Sequence, residues 1–332
     1  IRQYMQINTA IFQDSVSFSE RFQTVLSYQI ENNPVYRLFY SSFQNGNTES
    51  ATTDQLPLLP IRAFKDTKVL CDSCSELMVF KSSATGQQGR SRHFIPFPEL
   101  YRESIFLEFY RHFPKEEYAI LAYTPGYSEN PDSSLIWMLN ELIKNDPSGL
   151  SRFLPIGKSL RSDNLEDILN SEKNILLFGA AFGLLDLVDL KSVNLPPASQ
   201  VIETGGMKTH RREMSKPELR KALSEGFGLP LTHIHSEYGM CEMQSQCYAI
   251  GSEWFSTPPW VKVMIKNPES PLENCAIGEE GKIGVIDLAN MHTCPFILTE
   301  DRGVMGEDGS FRVLGRWRSD NLRGCNFLID RD

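Results

Sequence analysis

Residues 201–248 read VIETGGMKTHRREMSKPELRKALSEGFGLPLTHIHSEYGMCEMQSQCY. A β-type run at Val201 and Ile202 stops at Gly205-Gly206. Ser215 and Glu218 have the spacing of a capping box, and Pro217 suits the first turn of the helix that follows. Leu219, Ala222 and Leu223 give that helix one apolar face, and Gly226 and Gly228 end it. A second β-type run, Leu231 to His235, leads into Tyr238-Gly239 and the acid Glu242. Two strands thus deliver two glycine-containing turns to one end of a sheet, and in open α/β sheets ligands bind at the carboxyl ends of the strands.

The neighbouring sequence repeats this alternation. Leu77–Phe80, Tyr118–Tyr123 and Asn174–Gly179 read as short apolar strands. Pro98–Arg111 reads as an amphipathic helix, and Ser133 or Ser134 caps another, striped by Leu135, Met138, Leu139, Leu142 and Ile143. The predicted class is α/β: layered, mostly parallel sheets with helices on both faces. Past residue 250 the texture is β-rich, with strands at 284–287, 296–298 and 311–314 and a hairpin-type turn at Glu307-Asp308-Gly309. Residues 1–45 are helical and aromatic, broken at Asn32-Asn33-Pro34, and carry no evident chemistry. The expected division is a helical segment over 1–75 packing on the core, an α/β nucleotide-binding core over 76–250, and a β-rich subdomain over 251–332 ending at a hinge region.

A net charge of -9 over 332 residues argues against non-specific binding to nucleic acid or acidic membrane. The most apolar run, Ile175–Val188, is interrupted by Gly179, Gly183 and Asp186 and is too short to span a bilayer. Seven scattered cysteines, an odd count, predict a reducing compartment, and no signal peptide is visible after Ile1, so a cytoplasmic location is expected. Cys71 and Cys74 form a lone CxxC, read as two unligated thiols, and the histidines make no HExxH.

After the strand ending at Phe80 comes KSSATGQQGRSRH (81–93), a loop of small hydroxyl residues and glycines that offers N–H and O–H donors to phosphate oxygens. It is not a Walker A loop. Near the other end stand TEDRG (299–303) and LGR (314–316). In this order the elements resemble the adenylate-forming enzymes, which activate a carboxylate with ATP. The resemblance sharpens to the LuxE-like acyl-protein synthetases of bacterial luminescence, related to phenylacetate–CoA ligase. It is carried by YSENPDSSLIWM (127–138), LLFGAAFGLLDL (176–187), ETGGMK (203–208), SEYGMCEMQSQCY (236–248), PPW (258–260), DLAN (287–290), TEDRG and RGCN (323–326).

The resemblance implies the large N-terminal domain of adenylate-forming enzymes, with the C-terminal lid domain absent. It implies that Ser82, Ser83, Thr85 and Gly86 hold the β- and γ-phosphates of ATP. Gly205 and Gly206, with Gly239, let backbone lie against the nucleotide, and Tyr238 stacks on adenine. Glu242 binds Mg²⁺, Asp301 accepts both ribose hydroxyls, Arg316 sits near ribose and phosphate, and Asp320 is the hinge acid. Cys325 is the thiol that takes the acyl group, with Arg323 favouring its ionisation. The implied substrate is a carboxylic acid, by default a fatty acid, with an acyl-CoA reductase or another acyl acceptor as partner.

Three departures stand out: SSATG replaces SGTTG, Cys241 stands where the family has threonine, and the lysine after the phosphate loop is missing, with Arg90 and Arg92 as candidate substitutes. His93 is open between a substrate contact and an ordinary hydrogen-bonded histidine. Two other outcomes are also open: acyl transfer to CoA, and a catalytically weak nucleotide-binding or assembly module.

Overall fold

Ser215 does cap a helix. In the computed structural model its hydroxyl accepts from the Glu218 amide while the Glu218 carboxylate accepts from the Ser215 amide, and the helix Lys216–Phe227 ends at Gly228 in the left-handed conformation (φ 69°). The structure describes residues 10–43, 52–82, 89–125, 131–161, 165–190, 194–205 and 214–317.

The described helices are α1 (Phe18–Asn32), α2 (Pro34–Ser41), α3 (Ala63–Asp66), α4 (Pro98–His112), α5 (Ser134–Lys144), α6 (Glu166–Leu169), α7 (Ala181–Asp189) and α8 (Lys216–Phe227). The central sheet runs β5 (Arg152–Phe153), β4 (Tyr118–Tyr123), β6 (Asn174–Ala180), β7 (Gln200–Thr204), β8 (Ile234–Tyr238) and β9 (Cys247–Ala249). All its pairings are parallel except β8 with β9. Alternation along the strands sorts the side chains onto two faces. Ala119, Leu121, Ile175, Leu177 and Val201 join α7 and α8 in one core, and Ile120, Ala122, Leu176, Phe178 and Ile202 join α4 and α5 in another.

A second, mainly antiparallel sheet holds β10 (Val261–Lys266), β11 (Gly281–Asp287), β12 (Phe296–Met305) and β13 (Phe311–Arg316). The first part of β12 also pairs in parallel with β1 (Leu59–Pro60), which draws the N-terminal region onto this sheet. Asn33 closes α1 and caps α2, its side chain accepting from the amides of Val35 and Tyr36. Tyr36 and Phe22 then pack on Phe296, with ring centroids 4.9 and 5.9 Å apart. The aromatic content of 1–45 is therefore packing in the described part.

Two expectations need correction. Residues 231–233 form a 3₁₀ turn rather than the start of a strand, because the His233 amide bonds back to the Pro230 carbonyl. Pairing with β7 begins only at Ile234. The strand at 77–80 is observed as β2 (Met78–Lys81), but it belongs to a separate hairpin with β3 (Arg92–Ile95), not to the parallel sheet. Residues read as the tail of a loop are thus a strand, with Lys81 opposite Arg92.

Candidate active site

The carboxyl ends of β7 and β8, the β2–β3 hairpin, the start of α5, α3 and the β12–β13 pair surround one cavity of about 260 Å³. Ser82, Gly205, Gly239, Glu242, Asp301 and Arg316, six of the residues expected at a nucleotide site, all line it. They come from positions as far apart in the chain as β2 and β13, so the fold alone brings them together. Ser83, Thr85, Gly86, Gly206, Asp320 and Cys325 lie outside the described residues.

Each strand end explains its residue. Gly205 follows β7 at φ 75°, a conformation that glycine adopts without strain. At Gly239 a Cβ would stand 2.5 Å from Glu237 Oε1, so a larger residue in the turn after β8 would displace the Glu237 carboxylate. The Ser82 hydroxyl accepts from the Ser91 amide at 3.0 Å and closes the base of the hairpin loop. Asp301 and Arg316 face each other in the β12–β13 register, with Nε 3.9 Å from Oδ1. Tyr238 donates to Asp301 Oδ2 at 3.0 Å, while its ring packs in the core against Phe255 and Phe311. The expected adenine platform therefore meets the site in this arrangement through its hydroxyl.

Glu242 is only 4% exposed. Burial pushes its carboxyl above the usual range, opposed by the Ser91 hydroxyl and by the nearby charges of Lys65 and Arg316. Burial raises Asp301 too, against Arg316 and the Tyr238 hydroxyl. Two desolvated carboxyls in one cleft favour a site that receives positive charge or hydroxyl donors.

The turn that carries Glu242 is held from below. Asn290 donates to the carbonyls of Glu242 and Cys294, both at 2.8 Å. Asp287 accepts from the Gln244 amide at 2.8 Å and the Ser245 hydroxyl at 2.6 Å, and Trp260 Nε1 donates to the same hydroxyl at 2.9 Å. The DLAN and PPW motifs are thus the supports of this turn. His93 belongs to the same network: its ring nitrogens lie 2.8 Å from the Cys241 carbonyl oxygen and 2.9 Å from Asn290 Oδ1. It is fully buried beneath the turn, and burial lowers its pKa to about 4. Of its two readings, the hydrogen-bonded one describes its position, but in the interior rather than at the surface.

Cys241 lines the cavity, with its thiol pushed well above the ordinary range by burial and by Glu242. Arg90 and Arg92 are exposed, and Arg92 lies over the ring of Phe94. Among the described residues the cations at the cavity wall are instead Lys65, Lys81 and Arg316, with Lys81 paired to Asp132 at 2.7 Å. Lys65 was missed because ProIleArgAlaPheLys (60–65) has no motif; pairing of β1 with β12 and packing of Phe64 against His93 bring α3 to the site. Glu237, Gln246 and Tyr101 were missed as well, since in sequence they are indistinguishable from core or surface positions. Among the described residues no group of three or more His, Cys, Asp or Glu is arranged to hold a metal, and no helix is long and apolar enough to cross a membrane.

Solved structures similar in fold include ligases with bound acyl-AMP, ATP or AMP. A 2-hydroxyisobutyryl-CoA ligase, solved with 2-HIB-AMP and CoA, superposes with a TM-score of 0.64 at 15% identity, over 90% of this chain and 69% of its own. ATP-bound MatB from Rhodopseudomonas palustris gives 0.50 at 15% identity, over 72% of this chain and 47% of its own. The O-succinylbenzoate coenzyme A synthetase MenE from Bacillus subtilis, with AMP, gives 0.50 at 17%, over 73% and 50%. No curated protein matches the chain in sequence. The family model described as "Acyl-protein synthetase, LuxE" matches residues 145–332, more than half of the chain. The protein belongs to the LuxE acyl-protein synthetase family.

Proposed function

We propose that the protein uses ATP to convert a carboxylic acid to acyl-AMP and pyrophosphate, then passes the acyl group to a thiol. The observation that carries this reading is the single cavity lined by Gly205, Gly239, Glu242, Asp301 and Arg316. Family and fold support it at the level of acyl-adenylate chemistry.

In this reading a carboxylate oxygen of the acid attacks the α-phosphorus and the bond to pyrophosphate breaks. Two anions meet in that step, so its barrier falls where positive charge is held in place. Lys65, Lys81 and Arg316 line the cavity and supply that charge, Lys81 in part offset by Asp132 and Arg316 by Asp301. Asp301, fixed by Tyr238, accepts the ribose hydroxyls, and Gly205 lets the backbone approach the nucleoside. Glu242 fits Mg²⁺, a hard cation that takes one or two carboxylates and completes its coordination with phosphate oxygens and water. When bound, Mg²⁺ offsets triphosphate charge. Little proton transfer is needed, in keeping with a site built of carboxyls and cations.

In the second half-reaction a thiolate attacks the acyl carbon and AMP leaves. Cys325, outside the described residues, is the proposed acceptor; CoA is the alternative, and a fatty acid is the proposed substrate on family grounds. Acid-dependent exchange of labelled pyrophosphate into ATP tests the first step. Exchange with at least one acid of a broad panel is expected, and exchange with none overturns the reading. Intact-mass measurement after turnover finds either an acyl adduct on Cys325 or a free Cys325 with acyl-CoA in solution.

A further inference from the structure

Ser91 and His93 stand on one face of the β2–β3 hairpin, both buried, with the exposed Arg92 between them on the other face. Both meet the turn after β8, at successive residues. His93 bonds to the main chain of Cys241, and the Ser91 hydroxyl bonds to the Glu242 carboxylate. The main chain of Ser91 is committed elsewhere: its amide donates to Ser82 Oγ at 3.0 Å, and its carbonyl accepts from the Ser82 amide at 3.1 Å. Ser82, Ser91 and Glu242 line the same cavity. In sequence, the hydroxyl- and glycine-containing stretch expected at the phosphates starts and ends at this Ser82–Ser91 clasp.

We propose that Ser91 is a positioning residue: its hydroxyl orients the Glu242 carboxylate while its main chain fixes Ser82, so that the loop meeting the phosphates of ATP and the acid taking Mg²⁺ share one register. A carboxylate that binds a metal is oriented by the hydrogen bonds it accepts, and losing such an outer partner weakens metal binding even though every ligand remains. Serine has one hydroxyl hydrogen, and giving it to Glu242 leaves the phosphates to other donors. Ser82 is placed for that part: its oxygen accepts the Ser91 amide on a lone pair, and its own hydrogen stays available to a phosphate oxygen. Glu242 is thereby held at two points, its main-chain carbonyl by Asn290 and its carboxylate by Ser91. Lys65 and Arg316 act on the same carboxylate as nearby charges, and the hydroxyl adds direction.

This inference rests on the adenylation reading, and nucleotide binding separates their failures. Calorimetric titrations are run with AMP, with ATP and EDTA, and with ATP and Mg²⁺. In the parent, Mg²⁺ is expected to tighten the binding of ATP. Ser91→Ala, checked for an intact thermal transition, is expected to bind ATP with Mg²⁺ about tenfold more weakly and AMP as the parent does. Ser91→Thr, which keeps the hydroxyl, retains the parent's response to Mg²⁺. In a Glu242→Gln background, Ser91→Ala brings no further loss, because the carboxylate it orients is gone. Unchanged binding of ATP with Mg²⁺ in Ser91→Ala overturns this inference and leaves adenylation standing. An equal loss for AMP, a full second loss in the Glu242→Gln background, or a Ser91→Thr variant no better than Ser91→Ala does the same, since each marks a role in packing alone. A parent that binds none of the nucleotides overturns both readings. If Ser91→Ala does not fold, Ser91→Cys, of similar shape but with a poorer donor, carries the same comparisons.

Discussion

Replacing Asn290 with alanine isolates the support of the Glu242 turn from the chemistry of the site. Asn290 is fully buried and does not line the cavity. Its amide donates to the Glu242 and Cys294 carbonyls at 2.8 Å, and its oxygen lies 2.9 Å from His93 Nε2 and 3.3 Å from Gln244 Nε2. Truncation strands two buried carbonyls, each at about 1–3 kcal/mol, and removes the Oδ1 contact to His93, whose neutral ring has one N–H for Asn290 Oδ1 and the Cys241 carbonyl; the long Gln244 contact adds little. Water entering the vacated space recovers part of this. The expected loss is about 3–5 kcal/mol, at the large end for one substitution. Urea denaturation followed by fluorescence measures it as a lower midpoint at unchanged slope. Because Glu242 rides on this turn, the surviving fold should also show a raised KM for ATP in the exchange assay. A stability loss below about 1 kcal/mol would refute the network, since it would mean that the bonds assigned to Asn290 are not made.

Glu242→Gln should separate in the opposite direction: exchange falls by about a hundredfold while stability stays within about 1 kcal/mol, because a neutral amide relieves a buried carboxyl. Lys65→Met should raise the KM for ATP by about tenfold with little effect on the folded baseline, as seen by circular dichroism. Ser215→Ala removes one member of a capping box and should cost about 1 kcal/mol in the same urea titration, with exchange kinetics unchanged. Glu237 is shifted up to about 7 by burial, so its protonated form favours the fold. That contribution is fully present below the unfolded pKa of roughly 4.5 and is lost as pH rises through about 7. Glu237→Gln should therefore gain on the parent by up to about 3 kcal/mol between pH 5 and pH 8, read from urea midpoints at the two values.

How legible was this in the sequence? The α8 helix was readable to its caps, because Ser215, Glu218 and Gly228 are local signals whose effect depends on few distant contacts. The strands β4 and β6 were readable for the same reason: their apolar runs are long enough to define buried strands. Boundaries failed where a neighbour decides them. Ile234 begins β8 because Val201 pairs with it, and no local feature marks that position. The β2–β3 hairpin was read as strand plus loop, because its second strand, RHFI, is short and begins with two polar residues. At the site, the glycine-containing turns marked Gly205 and, after Tyr238-Gly239, Glu242, whereas Asp301, inside β12, was reached only through the family resemblance. Lys65 gave no signal, since its role depends on a two-residue parallel pairing between β1 and β12.

That pairing also bears on the departures from the family pattern. A phosphate loop without its lysine invites the reading that a neighbouring arginine substitutes, yet Arg90 and Arg92 are exposed and the cavity wall does not include them. Charge instead reaches the cavity from outside the loop, through Lys65 on α3 and Lys81 at the end of β2. What a site of this kind requires is positive charge at a place, and several parts of the fold can deliver it there. Cys241 fits the same logic. Its side chain gives up a good hydroxyl donor for a poor one, but its backbone carbonyl still bonds to His93 and keeps the turn in register with Asn290. The scaffold's demand on position 241 is met by the main chain, which leaves the side chain free to differ from the family's threonine without unseating Glu242.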